Sequence, residues 1–303
     1  MVNLGLLPIC LLFGVLLRRS GRMKADAPST LNAFIIHVSL PAVTLLHVHD
    51  LALDQALIFP VSMAWMLFAG GLVFFFLLGR AAKWSPQTIG GLILTGALAN
   101  TSFLGLPMIE AFYGNAQGEL GIGIIIDQLG TYLVLSTLGI MVAVTCSQGE
   151  VSLLAVAKRI LLFTPLQALV LAFLLRPYTY PQAVVTILQI LGSTLTPLAL
   201  ISIGCQLRFT DFKGKLGPLA AGLGFKLLLG PLMILLVLTE LLGAGGRIAQ
   251  VTIFEAAMGP QIGGSIVALQ HKLDRSLVIL MVGIGIPLSF ATLPFWWWLL
   301  QGI

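Results

Sequence analysis

Apolar runs of about 20 residues follow one another along almost the whole chain. A bilayer core about 30 Å thick needs roughly 20 apolar helical residues to cross it. Hydrophobic residues fill 58% of the 303 positions and charged residues only 9%, whereas soluble proteins carry about 25% charged residues. Because soluble proteins rarely leave apolar patches of this extent exposed, the sequence predicts an all-α protein that spans a membrane.

The predicted spans number about ten, and no soluble domain or long linker fits between them. The first run has no basic residue before it and Arg18-Arg19 after it. A secretory signal peptide has the opposite order, so this run is predicted to remain as a span. The predicted spans are residues 2–17, 31–48, 56–78, 89–112, 120–146, 153–175, 183–206, 216–238, 248–269 and 277–300.

Lysine and arginine residues are distributed very unequally between the two sides of these spans. Of the 16 in the chain, all but Arg176, Arg247 and the intramembrane Lys226 fall on one side. The positive-inside rule places that side in the cytoplasm and both termini outside. Because the basic residues punctuate apolar runs instead of forming one patch, the net charge of +5 does not indicate nucleic-acid binding.

The chain divides into two similar halves, residues 1–150 and 151–303. Residues 39–46, Ser-Leu-Pro-Ala-Val-Thr-Leu-Leu, match residues 195–202, Leu-Thr-Pro-Leu-Ala-Leu-Ile-Ser. Each half contains five predicted spans, an odd number, so the second half must enter the membrane inverted. Inverted repeats of this kind are typical of secondary transporters.

Two predicted spans are interrupted by helix breakers at matching places. Span 4 contains Asn-Thr-Ser-Phe-Leu-Gly-Leu-Pro at residues 100–107, and span 9 contains Met-Gly-Pro-Gln-Ile-Gly-Gly at residues 258–264. Proline removes a backbone donor, and glycine leaves helical geometry easily. At about 1.5 Å per residue, Asn100 lies roughly 16 Å from the cytoplasmic face and Pro260 roughly 18 Å from the outer face. Both breaks therefore fall near the middle of the bilayer.

Unwound backbone at this depth is tolerated only where it is buried or lines a wet cavity. If the two broken helices cross, the N-termini of their second halves supply partial positive charge and free N–H groups. A carboxylate or another anion is the expected substrate. The alternative is a pair of proline kinks that only shape helix packing. The predicted substrate-binding residues are Asn100, Thr101, Ser102, Gly105, Pro107, Gly259, Pro260, Gln261 and Gly263.

Ionisable residues inside spans are a second indication of a functional site. Burying such a side chain in a membrane costs free energy unless it is paired or hydrated. Asp127 and Glu255 each lie about seven residues into an outward-starting span, roughly 10 Å below the outer surface. Together they predict a site for a coupling proton or Na⁺; the alternative is that one of them is an interfacial residue that reaches water. Lys226 is interpreted as a counter-ion to Asp127 or Glu255, as a charge that attracts an anion, or as a snorkelling lysine.

The other candidate residues are predicted to have structural roles. His47, His49 and Asp50 supply too few fixed ligands for a metal, and a wetted helix end is favoured. The three cysteines have neither metal-ligand spacing nor a disulfide framework. Residues 296–298, Trp-Trp-Trp, are interpreted as an aromatic interface anchor. No cofactor is predicted apart from the coupling ion.

These residues resemble the auxin efflux carrier family of bacteria and plants over nearly the whole chain. The best-matching segments are the helix with Leu40-Pro41, residues 100–107 and the glycine-rich break around Pro260. The resemblance implies a fold like that of bile acid/sodium symporters, with two inverted five-helix repeats and crossed broken helices. It also implies a scaffold of spans 1, 2, 6 and 7, and a core of spans 3–5 and 8–10 that moves as an elevator.

The resemblance further implies a class of substrate. Bacterial members are associated with malonate, malate and related carboxylates. In the sodium symporter relatives, a span-9 glutamate and polar crossover residues hold Na⁺, and Glu255, Asn100, Thr101 and Ser102 occupy comparable places. Gly259-Pro260 departs from the polar residues expected there, which leaves proton coupling or uniport open. The short loop at residues 145–153 lacks the long hydrophilic loop of many plant auxin exporters.

The sequence therefore predicts a secondary active transporter in the bacterial inner (plasma) membrane. Its substrate would be a small organic anion such as malonate, malate or an auxin-like acid, moved by an elevator mechanism with H⁺ or Na⁺. The alternative is an anion or ion channel, although no filter-like repeat or charged ring occurs. No enzyme is predicted, since Asp127 is the one deep aspartate and no His–Glu metal motif exists. Direction and oligomeric state stay open, with a homodimer through the scaffold helices considered.

Overall fold

A computed structural model of the chain describes residues 6–24, 26–49, 51, 55–147, 152–207 and 214–303. Within these ranges the regular structure is helical, apart from one isolated backbone bridge between Ala99 and Pro260. This confirms the predicted all-α class. The predicted start of span 1 at residue 2, together with Asp50, Arg208 and Lys213, lies outside the described residues.

Six of the helices are long and apolar enough to cross a membrane, judged by length and composition. These are Ala27–Val48, Ile58–Ala81, Glu119–Ser147, Gln182–Gln206, Leu216–Leu241 and Arg275–Leu300. The number of crossings and the inverted-repeat layout stay predictions. In the described ranges the helices are α1 (Leu6–Arg19), α2 (Ala27–Val48), α3 (Ile58–Ala81), α4 (Pro86–Gly96), α5 (Thr101–Phe112), α6 (Glu119–Ser147), α7 (Leu153–Leu161), α8 (Thr164–Leu175), α9 (Gln182–Gln206), α10 (Leu216–Leu241), α11 (Gly246–Ala256), α12 (Ile262–Gln270) and α13 (Arg275–Leu300).

Helical structure is interrupted within three of the predicted spans. Span 4 is divided into α4 and α5, and span 9 into α11 and α12, at the glycine- and proline-containing segments. Span 6 is also divided, because Phe163 adopts extended geometry (φ −74°, ψ 107°) before Pro165 in the first turn of α8. The prediction of one continuous sixth span is wrong. Proline fits a first helical turn but not a helix interior, so α7 ends before it.

Several helices contain wider, π-helical turns next to prolines. Ile35–Ser39 precedes Pro41 in α2, and Phe225–Leu229 precedes Pro231 in α10. Proline cannot donate to the carbonyl four residues earlier, and a local π turn accommodates the missing bond. Lys226 lies in the second of these turns, and Asp127 lies in a further π-helical turn, Ile126–Tyr132, which has no proline near it in the sequence. Such bulges often occur at functional sites.

The chain forms two compact units, the first made of residues 1–54, 102–124 and 157–207. In this unit α1 and α9 pack backbone to backbone at Gly14 and Gly204. A Cβ at Gly14 would lie 2.2 Å from the Ile201 carbonyl oxygen, and a Cβ at Gly204 would lie 2.1 Å from the Leu11 carbonyl oxygen. Glycine is therefore required at both positions for the helices to approach this closely.

The second unit contains residues 55–101, 125–156 and 208–303. Its core includes Phe75 of α3 and Phe225 of α10, whose ring centroids are 5.1 Å apart. Every residue from Thr88 to Gly96 in α4 and from Ala249 to Ala256 in α11 is buried. The first halves of both broken helices are thus buried, although the buried residues of α11 include the polar Gln250, Thr252 and Glu255.

Candidate functional site

The two helix breaks meet in the second unit. The backbone N–H of Asn100 donates to the Gly259 carbonyl oxygen (3.1 Å), and the N–H of Gln261 donates to the Thr95 carbonyl oxygen (3.2 Å). Ala99 and Pro260 lie opposite each other in an antiparallel bridge. These bonds satisfy backbone groups that the ends of the helices leave unpaired. We call residues 97–101 and 257–261, with the side chains they contact, the crossover.

Close backbone packing holds the crossover in place. A Cβ at Gly264, in the first turn of α12, would lie 2.0 Å from the Leu94 carbonyl oxygen. A Cβ at Gly285 of α13 would lie 2.4 Å from Cγ of Pro260. Both positions therefore accept only glycine without a shift of the backbone or of the proline ring. The crossover is fixed by contacts with α4 and α13 as well as by its own hydrogen bonds.

The Asn100 side chain is fully buried at the crossover. Among the described residues, neither its Nδ2 nor its Oδ1 has a hydrogen-bond partner. Leaving a buried donor or acceptor unsatisfied costs about 1–3 kcal/mol, and native proteins seldom do so without a reason. This amide is consequently available to a ligand.

Asp127 and Thr101 connect α6 to the crossover. The Thr101 hydroxyl donates to Oδ1 of Asp127 at 2.6 Å, and both side chains are buried. Asp127 is therefore not an interfacial residue reaching water, so that alternative is wrong. Thr131 lies one turn further along α6, and its buried Oγ1 has no hydrogen-bond partner in the described ranges. Sequence reasoning missed Thr131, although its spacing of four from Asp127 puts both on one helix face.

Glu255 lies in the last turn of α11, just before the break. Its side chain is fully buried, and neither carboxyl oxygen has a hydrogen-bond partner within the described part of the chain. It interacts electrostatically with Asp127 and Lys226. Glu255 is buried, so the alternative that it reaches interfacial water is also wrong. Its electrostatic interaction with Asp127 brings the two carboxyl groups into one neighbourhood, whereas their depth in the membrane stays a prediction.

Lys226 is fully buried and does not snorkel. Its Nζ donates to the Ala256 carbonyl oxygen at 2.7 Å, at the C-terminal end of α11. A cation at this end of a helix is stabilised by the helix dipole and by unpaired carbonyl groups. The snorkelling interpretation is therefore wrong, and the counter-ion interpretation agrees with its electrostatic interaction with Glu255.

The remaining predicted binding residues are distributed over both units. Gly259, Pro260, Gln261 and Gly263 belong to the second unit with the crossover. A Cβ at Gly263 would lie 3.9 Å from Nε2 of Gln261, so the glutamine side chain lies over the start of α12. Three of the predicted binding residues lie in the other unit. Ser102, Gly105 and Pro107 follow Thr101 in α5 and belong to the first unit.

The first unit contains a cavity of about 200 Å³ that sequence reasoning missed. Glu110 lines it, and Oε2 of Glu110 accepts a hydrogen bond from the Thr196 hydroxyl at 2.9 Å. His47, Gln189 and Ser193 add polar groups to the lining. Glu110 sits close to the end of a helix, where a solvated carboxylate is the usual interpretation, so sequence alone carried no signal for this cavity.

Comparison with known proteins gives the family context of this arrangement. A family model described as membrane transport protein matches residues 4–297, nearly the whole chain. This match confirms the resemblance to auxin efflux carriers, whereas the likeness to bile acid/sodium symporters stays a prediction.

Two archaeal proteins are similar along nearly their whole length. An uncharacterized transporter of Methanothermobacter thermautotrophicus is 28% identical over 292 residues, covering 95% of this chain and 94% of that protein. The uncharacterized transporter MJ1031 of Methanocaldococcus jannaschii is 27% identical over 306 residues, covering 96% of each.

Proposed function

Because the chain belongs to the membrane transport protein family, we propose that it is a secondary active carrier of a small organic anion. It is an integral membrane transporter and not an enzyme, as its family and its transporter relatives indicate. The proposed substrates are carboxylates such as malonate or malate, or an auxin-like acid. The proposed location is the bacterial inner (plasma) membrane, with both termini on the extracytoplasmic side.

The observation that carries the substrate proposal is the buried Asn100 amide without a partner among the described residues. An amide Nδ2 group can donate to a carboxylate oxygen. The start of α12 adds to this, since Gln261 precedes the helix without a side-chain capping bond. The first N–H groups of any helix have no acceptor within the helix itself, so those of α12 favour a negative charge. Thr101, Gly259, Pro260 and Gly263 would surround the bound carboxylate.

The buried charges around the crossover support coupling to a cation. Asp127, Glu255 and Lys226 leave one net negative charge when all three are ionised. A carboxylate entering alone would meet this charge in a low-dielectric site, which is unfavourable. A proton or Na⁺ bound at Asp127 and Glu255 would offset the repulsion. The carrier would then move anion and cation together, by an elevator motion of the core.

Uptake by purified protein in proteoliposomes tests the substrate proposal. Asn100→Ala should reduce uptake of radiolabelled malonate, malate or an aromatic monocarboxylate about tenfold or more, the loss expected for one hydrogen bond to a charged group. Asn100→Asp places a negative charge beside the substrate and should abolish uptake. Gln261→Ala should also reduce uptake, whereas Gln270→Ala, an exposed amide on the same helix, should not.

A monodisperse gel-filtration peak for each variant separates loss of transport from loss of folding. Wild-type uptake of none of these anions, or unchanged uptake by Asn100→Asp, would contradict the proposal. The channel alternative gives a different result in the same vesicles. Unlabelled substrate inside the vesicles should accelerate uptake through a carrier by exchange, whereas a channel shows no such stimulation.

A further inference from the structure

Two turns of the second unit have the same construction. In the first, the Lys83 N–H donates to the Arg80 carbonyl (3.2 Å) and the Trp84 N–H to the Gly79 carbonyl (2.8 Å). In the second, the Lys272 N–H donates to the Leu269 carbonyl (3.1 Å), and the N–H of the following leucine to the carbonyl five residues before it (2.9 Å). Both are Schellman motifs that end α3 and α12. We call residues 82–85 and 271–274 the lysine turns.

The lysine in each turn occupies a position that usually holds glycine. Lys83 has φ 56° and Lys272 has φ 54°. Glycine adopts this left-handed conformation without strain, and a side chain does not. In the described part of the chain, the other six residues with positive φ are all glycines. Among the described residues, lysine stands at a positive-φ position only in these two turns. This indicates that the positive charge of the two side chains has a function.

The two lysine turns are neighbours. The Asp274 N–H donates to the Gln87 carbonyl oxygen (3.3 Å), and the Thr88 hydroxyl donates to Oδ2 of Asp274 (2.7 Å). The Lys215 Nζ forms an ion pair with the same carboxyl oxygen at 2.6 Å. The negative charge of Asp274 is therefore already neutralised.

The basic residues left around these turns are exposed. They form a positively charged surface consisting of Arg80, Lys83, Lys272 and Arg275.

An exposed apolar stripe leads to this surface along α3. Val73, Phe76 and Leu77 are exposed and share one helix face with Arg80, at spacings of three, four and seven. The Arg80 guanidinium lies over the Phe76 ring, 5.4 Å from its centroid. In a membrane protein such a stripe faces acyl chains, and the basic end lies where the headgroups begin.

We propose that the lysine turns, with Arg80 and Arg275, bind the phosphate headgroup of an anionic phospholipid whose acyl chains lie along Val73, Phe76 and Leu77. A basic cluster at a membrane surface attracts anionic lipid by about a fivefold affinity gain for each lysine or arginine.

Thermal unfolding of the purified full-length protein in a neutral detergent tests this site. Phosphatidylglycerol should raise Tm, while phosphatidylcholine and inorganic phosphate should not. The double variant Lys83→Gly/Lys272→Gly should keep or raise Tm without lipid, because glycine relieves the left-handed backbone. Its apparent affinity for phosphatidylglycerol should fall about 25-fold.

A charge-matched control distinguishes this surface from general electrostatic attraction. Arg22→Gln/Lys24→Gln removes two exposed basic residues from the first unit and should keep the wild-type response to phosphatidylglycerol. An unchanged lipid response in the double glycine variant would overturn the proposal, as would an equal loss in the control. A response to inorganic phosphate equal to that for the lipid would assign the surface to free phosphate instead.

Discussion

The indole N–H of Trp296 donates a 2.9 Å hydrogen bond to the carbonyl oxygen of Leu227. This carbonyl lies four residues before Pro231, which has no N–H to return to it. The bond from α13 thus satisfies a backbone group that the proline leaves unpaired in α10. Trp296 is buried, so its interpretation as an interface anchor is wrong, whereas Trp298 is exposed and keeps that interpretation.

Replacement of Trp296 by phenylalanine should destabilise the second unit. The Leu227 carbonyl would lose the donor that Trp296 supplies, a loss of about 1 kcal/mol for one hydrogen bond. The measurement is the Tm of the purified protein in detergent. Trp298→Phe removes an exposed indole from the same helix and should leave Tm close to wild type. Equal Tm values for the two variants would show that the Trp296 hydrogen bond adds no stability.

The contact between α1 and α9 should be intolerant of side chains. Gly14→Val or Gly204→Val would push a side chain into the backbone of the facing helix, and an overpacked contact of this kind costs more than about 3 kcal/mol when backbone must move. Little monodisperse protein should be recovered on gel filtration. Gly217→Ala has no atom within 4 Å of its new Cβ and should behave as wild type. Normal recovery of Gly14→Val would refute the close packing.

Glu255→Gln tests the proposed coupling site without a change of shape. With one coupled cation, an imposed tenfold H⁺ or Na⁺ gradient should drive about tenfold accumulation of substrate by the wild type. The variant should lose this accumulation while continuing to exchange substrate between the two sides. Glu240→Gln, at an exposed carboxylate, should accumulate substrate normally. Gradient-driven accumulation by Glu255→Gln would remove Glu255 from coupling.

Asp274 should make stability depend on pH in the acidic range. Partial burial acts to raise the pKa of this carboxyl, but hydrogen bonds from Lys215, Thr88 and the Leu277 N–H outweigh it and lower the pKa below its ordinary value. The stabilisation is therefore complete above the unfolded pKa of about 4 and is lost as pH falls through the lower folded pKa. Asp274→Asn should lower Tm at pH 7, and the difference from wild type should shrink as the pH approaches 3.

A matched control exists for this titration. Asp26 also precedes a helix, but it is exposed and its side chain makes no capping bond. Asp26→Asn should therefore change Tm little at either pH, since exposed charges contribute about 1 kcal/mol or less. A constant difference between Asp274→Asn and wild type from pH 7 to pH 3 would contradict the lowered pKa.

The positions of the helix breaks could be predicted because their causes are local. Proline and glycine act on the backbone of their own segment, so Gly259-Pro260 and the segment up to Pro107 were visible in the sequence. The burial of Asp127 and Glu255 was also expected, since carboxylates are rare in apolar runs. Thr164-Pro165 carried the same kind of signal for the break before α8, but the apolar residues on both sides concealed it.

Other parts of the site depend on contacts between distant segments. The bond from Lys226 to the Ala256 carbonyl joins residues 30 apart, and no local pattern specifies it. The same holds for the buried amide of Asn100, whose lack of a partner among the described residues depends on what surrounds it in three dimensions. Lys83 and Lys272 were visible as charges, but their left-handed backbone appears only once the turns have formed.

The enclosed first halves of the broken helices also determine how the chain can enter a membrane. α4 and α11 contain 11 residues each, a length of about 16 Å against a hydrocarbon core of about 30 Å. Neither can cross lipid as an independent helix with its end groups paired. Their inner ends are paired with each other at the crossover, so the hydrogen bonds of the first break are complete only once residues 246–261 have been synthesised. Biogenesis of this unit is therefore completed late, and a chain truncated before α11 would leave the first break open to lipid.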